Sequence, residues 1–255
     1  MKLRSISQRA SARGLTLIEL VVVMAILVAL AGLIIGNFPN MMKKSSGSTS
    51  ANTIQDLGRA MSIRYTTKGL YPTAYDNLDK AVLPAAAQAQ VDVTTAITAL
   101  DASALSAIGV TSVCTLLQYP TAAPDATWSV ATNSNIGAIV GATTKVALVN
   151  NMTLLDKLVP NTNVYNTPIK VYLLGIGRVC SLVGGDSTIL EAPTRAGTTD
   201  LENPALFYGR YCAAFLVDAT TSGGSARRAR FIGICAPTAS GFQVTDDQTS
   251  LYQSN

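Results

Sequence analysis

Apolar residues run from Leu15 to Ile35 with only two polar positions, Thr16 and Glu19. At roughly 1.5 Å per residue these 21 residues make a helix about 32 Å long, which is enough to cross the hydrocarbon layer of a membrane. A carboxylate at mid-bilayer is costly, less so near the interface, so Glu19 needs a partner. The pattern therefore predicts a membrane-spanning helix with one acid close to its start.

Downstream of this segment the helical pattern weakens and then returns. Gly32, Gly36 and Pro39 interrupt it, so we expect curvature or unwinding between Gly32 and Asn40, more in an assembly than in one copy. Ser45–Ser50 is either a linker or an exposed part of one long helix. From Ser50 to Lys68 apolar residues recur at helical spacing, which predicts an amphipathic helix that packs on a sheet and stops at Gly69. These residues are Ile54, Leu57, Met61 and Tyr65.

The middle of the chain changes character twice. Residues 81–108 are rich in alanine and predict one or two short helices, with a cap at Asp101. In residues 109–168 prolines and asparagines separate short apolar runs, which favours strands. This region is the variable part of the chain, and its sequence assigns it no role.

The last third predicts an antiparallel sheet. Ile169–Leu174 and Arg178–Val183 are strand candidates, and Phe207–Asp218 forms a hairpin with Arg228–Cys235 around Gly223-Gly224. The positions symmetrical about that turn face each other. The predicted pairs are Cys212 with Cys235, Phe215 with Ile232, and Ala213 with Ile234.

Composition and charge narrow the classes of function. The chain has 255 residues, 48% hydrophobic and 13% charged, which excludes a disordered acidic or basic tail protein. It has no histidine, which removes histidine-based nucleophilic and metal sites. Without the four basic residues before Gly14, 15 of the 19 basic residues remain against 15 acidic ones, so charge gives no support for a nucleic-acid partner. Those four are Lys2, Arg4, Arg9 and Arg13.

Three interpretations of the N-terminus compete. The basic residues before the span orient the N-terminus to the cytoplasm, as in a simple signal anchor. Ala29-Leu30-Ala31 has the small-x-small form of a secretory cleavage site. The third interpretation comes from Gly14-Leu15-Thr16-Leu17-Ile18-Glu19-Leu20, because random signal peptides rarely place an acid inside their apolar region.

This last motif resembles the class III prepilin signal of type IV pilins and type II secretion pseudopilins. The resemblance implies cleavage between Gly14 and Leu15, N-methylation of Leu15 and retention of the apolar helix. It also implies that Glu19 of one subunit pairs with the Leu15 amine of its neighbour during assembly. A second, weaker likeness is Gly69-Leu70-Tyr71-Pro72-Thr73, which is similar to the segment after the stalk helix in many pseudopilins and minor pilins. The clear resemblance covers residues 1–73.

All four cysteines follow the span, on the side of the membrane where disulfides persist. Four cysteines allow three pairings, and free buried thiols are the alternative. The hairpin register favours Cys212–Cys235, which leaves Cys114–Cys180. Many pilins close their C-terminal region with a disulfide, and Cys212–Cys235 resembles that arrangement.

Two charged clusters carry weaker hypotheses. Asp246-Asp247, with Thr245 and Gln248, raises the idea of calcium because major pseudopilins bind it in a C-terminal loop, but the spacing matches no EF-hand. We therefore expect no cofactor, with calcium as the alternative. Three arginines near the hairpin turn are interpreted as a solvated turn rather than a patch for an anionic surface. They are Arg227, Arg228 and Arg230.

Together the patterns predict an α+β, pilin-like fold in which a long N-terminal helix packs on a C-terminal antiparallel sheet. The expected parts are a cleaved leader (1–14), a stalk helix (15–68, with 15–35 in the membrane before assembly), a variable αβ region (69–168) and a sheet with a disulfide region (169–255). The expected function is a structural pilin of a bacterial type IV pilus. Alternatives are a type II secretion pseudopilin or a minor pilin that acts as an adhesin or DNA-uptake module. An enzyme is not expected, because no acid–base or nucleophile constellation stands out.

The resemblance also implies partners and location. The partners are other copies of the chain in a homopolymer, a prepilin peptidase that is also the methyltransferase, an inner-membrane assembly platform and an outer-membrane secretin. The subunit is expected to wait in the inner membrane with its C-terminus outside the cytoplasm. After assembly it belongs to an extracellular pilus or a periplasmic filament.

Overall fold

The computed structural model describes residues 16–78, 83–115, 135–139, 146–159, 169–184, 189–195, 208–218, 221–222, 225–226 and 228–244. The chain divides into two compact units, Met1–Met42 and Lys43–Asn255. The first unit contributes one described element, the start of helix α1 (Leu17–Lys68). The second unit holds the end of α1 and every other described element.

Helix α1 is continuous through Gly32–Asn40 and through Ser45–Ser50. The second stretch is therefore helix and not a linker, and the physical reason is packing. Gly47 and Ser50 are buried, and the Tyr211 hydroxyl donates to Ser50 Oγ at 3.2 Å. Tertiary burial of a helix face outweighs poor local propensity. The unwinding expected in an assembly stays a prediction.

The end of α1 follows the sequence pattern with one exception. Ile54, Leu57 and Met61 are buried, whereas Tyr65 is 39% exposed and stacks on Tyr71 with ring centroids 4.5 Å apart. The helix ends as predicted, because Gly69 adopts φ +69° and donates its N–H to the Tyr65 carbonyl.

The second unit is built on one mixed sheet. The described strands are β1 Tyr75–Asp76, β2 Val91–Asp92, β3 Ser112–Thr115, β4 Asn135–Ala138, β5 Ala147–Val149, β6 Ile169–Gly175, β7 Cys212–Asp218, β8 Thr221–Ser222, β9 Ser225–Ala226, β10 Arg230–Thr238 and β11 Gly241–Gln243. The strand order of the sheet is β11-β10-β7-β6-β1-β3-β4, with β5 pairing both β6 and β2, and these pairs are antiparallel except β1–β3. Strands β8 and β9 form a separate pair.

Helices cover both faces of this sheet, so the fold is α+β as predicted. On one face α1 and α3 (Ala99–Ser106) pack against alternate residues of β6 and β7, such as Tyr172 and Phe215. On the other face, α2 (Ala85–Gln88) and α4 (Met152–Leu158) cover the intervening residues of β6 and β7. Because β6 and β7 are buried on both faces, their sequences are nearly continuous apolar runs.

The hairpin prediction is confirmed in part. Cys212 lies opposite Cys235 and Ala213 opposite Ile234, as expected, but Phe215 lies opposite Phe231 and not Ile232. A bulge between Phe231 and Gly233 adds a residue to β10 and shifts the register. Phe231 therefore packs on the cluster under α1, while Ile232 packs with the opposite cluster.

Three other local predictions need correction. Arg178–Val183 is a series of turns and not a strand, because Arg64 binds the Ser181 carbonyl and the Ser181 N–H binds Thr73, which ties the segment to the chain after α1. Helix α3 is capped by the Thr98 side chain, which accepts from the Asp101 N–H, so Asp101 is not the cap. The region 109–168 contains the predicted strands β3, β4 and β5, but also helix α4.

Candidate functional site

The first candidate is the apolar segment at the start of α1. Leu17–Gly36 spans 20 residues with a mean hydropathy of 3.0, and none of it is buried. Large apolar side chains are exposed all around the helix, from 51% for Val22, Val23 and Leu30 to 82% for Leu17. A soluble helix hides one apolar face, whereas this one is apolar on every side. It is therefore long and apolar enough to cross a membrane, as predicted.

Thr16 and Glu19 form a reciprocal cap at the start of this segment. The Glu19 carboxylate accepts both the Thr16 backbone N–H and the Thr16 hydroxyl at 2.9 Å, and the Glu19 N–H points back to Thr16 Oγ1 at 3.4 Å. This is a capping box, and its T-x-x-E signature before an apolar run was readable in the sequence. Sequence reasoning assigned Glu19 only to a neighbouring subunit. In a single copy the carboxylate already has a partner.

Gly14 and Leu15, the predicted cleavage and methylation residues, lie outside the described residues. So do Thr245, Asp246, Asp247 and Gln248, on which the calcium hypothesis depends, and Arg227. Arg228 and Arg230 are exposed. Within the described ranges, no three His, Cys, Asp or Glu side chains come together in a way that could hold a metal ion.

All four cysteines are buried, free thiols. Cys212 and Cys235 face each other across β7 and β10, and the Cys212 thiol donates to the Arg210 carbonyl at 3.9 Å. Burial, followed by the neighbouring Cys235 thiol, raises the pKa of Cys212. Cys180 packs in the cluster under α1, and burial raises its pKa to about 12. Cys114 follows Val113 of that cluster and therefore points to the opposite face of the sheet. The register supports pairing of Cys212 with Cys235, whereas the alternation gives Cys114–Cys180 no such support.

Asp76 is a buried carboxylate that sequence reasoning missed. It lies in a row of directly opposed residues that crosses five strands, so their side chains share one face. The row runs Cys114, Asp76, Gly175, Cys212, Cys235.

Two residues that come just before β7 contact one oxygen of the Asp76 carboxylate. The Tyr208 hydroxyl donates to Oδ2 at 2.9 Å, and the Arg210 guanidinium lies 3.5 Å away. The other oxygen, Oδ1, has no hydrogen-bond partner among the described residues. Burial raises the pKa of Asp76 to about 6, although Arg210 and Tyr208 act in the opposite direction. No local signal announces this site, because its partners are more than 130 residues away in sequence.

Asp101 forms the second buried polar cluster. Its Oδ2 accepts from Lys170 Nζ and from the Tyr172 hydroxyl, both at 2.7 Å. Burial alone would raise the pKa of Asp101, but the bonds from Lys170 and Tyr172 outweigh it and hold the pKa below its ordinary value. The cluster fixes α3 on β6, which is a structural role.

The chain matches no known protein family, no curated protein and no solved structure. The family resemblance is therefore carried by Gly14–Leu20 and Gly69–Thr73.

Proposed function

We propose that this chain is a structural subunit of a bacterial type IV pilus, processed between Gly14 and Leu15 and methylated on Leu15. The observation that carries the proposal is an apolar helix of 20 residues, uncovered on every side, that precedes a unit with its own core. Such a helix needs lipid or other copies of itself around it. A contact that joins different surfaces of successive copies builds an open filament when the rotation between copies does not close a ring.

Glu19 supplies the specificity in this proposal. Cleavage leaves a positive amine on Leu15, and an amine and a carboxylate are each costly alone in an apolar surrounding. Pairing them between neighbouring copies neutralises both and penalises other registers, which would leave two unpaired charges. The capping box with Thr16 gives the carboxylate a partner in the copy that still waits in the membrane.

The proposal includes a disulfide between Cys212 and Cys235. Their opposed register supports it, and a native bridge stabilises a secreted domain by about 2–4 kcal/mol. Such a bridge would hold β10 to β7 in a fibre exposed to the medium.

The direct test is mass spectrometry of the N-terminus of the chain purified from bacterial membranes. We expect the mature chain to begin with N-methyl-Leu15. A Gly14→Leu variant serves as the matched control and should retain the leader. A chain that begins at Gly32 would instead establish a removed secretory signal, and one that begins at Met1 would establish an uncleaved anchor.

A pair of variants separates the two roles of Glu19. Glu19→Gln keeps groups that can bond to Thr16 but removes the charge, whereas Thr16→Ala removes the threonine hydroxyl and keeps the charge. If Glu19 pairs with the Leu15 amine, the first variant loses assembly by tenfold or more while the second assembles within a fewfold of wild type. The same loss in both variants would show that helix capping, not pairing, is what assembly needs. Filament yield in sheared and membrane fractions is the measurement.

A type II secretion pseudopilin is the second candidate, favoured by Gly69-Leu70-Tyr71-Pro72. In the structure Gly69 turns the chain and the Tyr71 N–H bonds the Ile108 carbonyl, so the motif attaches the end of α1 to the region after α3. The two candidates differ in location. Long extracellular filaments made mainly of this chain favour the pilus, and short filaments confined to the periplasm favour the pseudopilus.

A further inference from the structure

Tyr65 and Tyr71 form a stacked pair of phenol rings at the point where α1 ends. Their ring centroids lie 4.5 Å apart, and the ring planes differ by 19°. Tyr65 is 39% exposed, whereas Tyr71 is partly buried. Because the turn at Gly69 brings the two residues together within one chain, the rings meet without any contact between copies.

The inner ring of this pair is fixed, and the outer ring faces water. The Tyr71 N–H donates to the Ile108 carbonyl at 2.7 Å. The Tyr71 ring also packs on two phenylalanines, with its centroid 5.8 Å from that of Phe215 and 5.7 Å from that of Phe231. Tyr65 lies near the end of α1, where its exposed ring has room to tilt against Tyr71. The fold therefore holds two phenols in the proximity that favours a reaction between them.

The other tyrosines that the structure describes are placed differently. Each of them is buried, and its hydroxyl donates to an acceptor inside the second unit. These bonds run from Tyr75 to Met61, from Tyr172 to Asp101, from Tyr208 to Asp76 and from Tyr211 to Ser50. An oxidant in solution therefore reaches the exposed Tyr65 more readily than these four, and water can accept the proton that Tyr65 releases.

We propose that Tyr65 and Tyr71 are a site of oxidative modification, where a one-electron oxidant of the haem-peroxidase class joins them as dityrosine. Each phenol loses one electron to the oxidant and one proton to water, and the two radicals combine through ring carbons next to the hydroxyls. Each coupled carbon then releases its hydrogen as a proton, and each phenol oxygen takes one up. The pair loses two hydrogen atoms overall, and one hydrogen peroxide is reduced to two molecules of water.

The product would be a covalent bond between the last turns of α1 and the segment that follows Gly69. Helix ends ordinarily fray. Tyr71 is attached to Ile108 and to the phenylalanines of the sheet, so the bond would hold the end of α1 to the sheet even when its last hydrogen bonds open. This modification does not depend on the proposed polymerisation, because both residues belong to one copy.

Peptide mass spectrometry of the oxidised full chain tests the assignment. The chain is purified in detergent, treated with a haem peroxidase and hydrogen peroxide, and digested with trypsin. Trypsin cleaves after Lys68, so we expect peptide 65–68 joined to peptide 69–80 with the loss of two hydrogen atoms. Fragmentation should place the bond on Tyr71 and not on Tyr75. In an equal mixture of unlabelled and isotopically labelled chains, the joined peptides should be wholly labelled or wholly unlabelled, as a bond within one copy requires.

Matched variants separate the stacked geometry from mere nearness in sequence. Tyr65→Phe keeps the ring but removes the phenol, and it should lower the yield of the joined peptide at least tenfold, whereas Tyr75→Phe should change it less than twofold. Adding Thr66→Tyr to Tyr65→Phe moves the phenol to the next exposed position of α1, outside the stack, and should leave the yield at least tenfold below wild type. Coupling from residue 66 equal to wild type, joined peptides of mixed label only, or no joined peptide at all would overturn the assignment. These outcomes leave the proposed function untouched, because the chain is oxidised before assembly.

Discussion

Asp76 predicts an unusual dependence of stability on pH, and Asp76→Asn tests it. The carboxylate is completely buried, and its partners are Tyr208 at 2.9 Å and Arg210 at 3.5 Å. Burial raises its pKa from the ordinary 3.8 to about 6. The folded protein therefore holds a proton on Asp76 at pH 5, while the unfolded chain does not.

The sign follows from which state binds the proton. Stability from this group is fully present below the unfolded pKa of 3.8 and is lost as the pH rises through the folded pKa of about 6. A tenfold change in proton affinity corresponds to about 1.4 kcal/mol, so the contribution of Asp76 to the free energy of unfolding should fall by about 2 kcal/mol between pH 4, where the unfolded carboxyl is already partly ionised, and pH 7.5. The pKa of Asp92 is lowered to about 2, and the pKa of Asp101 is also lowered. These two carboxylates therefore act in the opposite direction, because the stability that they contribute is lost below about pH 4.

The measurement is denaturant unfolding of the full chain in detergent between pH 4 and pH 7.5, followed by near-ultraviolet circular dichroism of the buried tyrosines. Asp76→Asn removes the titrating group but leaves Arg210 without its carboxylate, a cost that does not depend on pH. The difference in unfolding free energy between wild type and variant should therefore change by about 2 kcal/mol across this range. Asp56→Asn, at an exposed carboxylate, is the control substitution. Parallel curves for wild type and Asp76→Asn would refute the reasoning.

Three further predictions concern the second unit. Gly177→Ala should unfold or strongly destabilise it at 25 °C, because the added methyl group would overlap the Asp76 carboxylate; an unchanged melting temperature would contradict this. Met61→Ala should lower the free energy of unfolding by about 2–5 kcal/mol, since Met61 is completely buried under the sheet, and a loss below 1 kcal/mol would show that the site collapses freely. In the chain purified from its membrane, thiol counting should find Cys212 and Cys235 oxidised to each other, and digestion that yields both as free thiols would reject the bridge.

The sequence predicted those elements whose signals are local. The stop of α1 at Gly69, the strand Ile169–Leu174 and the opposition of Cys212 and Cys235 each depend on residues close in sequence or symmetrical about one turn. The bulge at Phe231–Gly233 was not predictable in this way, because it lets two large side chains reach two different cores. The alternation of hydrophobic residues within β10 does not indicate which residue forms the bulge.

The polar sites also differ in whether a local sequence pattern could have predicted them. Thr16 and Glu19 carry a recognisable capping signature, because both residues lie within one helical turn. Asp76 carries no signature, since Tyr208 and Arg210 reach it only when the sheet has formed. Contacts between residues so far apart in sequence form only when the chain folds. The sequence around each residue therefore gives no local sign of the contact.

The capping box also bears on what would drive the proposed polymerisation. Because Thr16 already satisfies the Glu19 carboxylate in a single copy, pairing with a neighbour exchanges one set of hydrogen bonds for another. Lipid covers an apolar helix as well as protein does, so burial of Leu17–Gly36 in a bundle gains little from the hydrophobic effect. In the proposed filament the pairing would then select the register, and much of the free energy of assembly would have to come from contacts outside the bilayer.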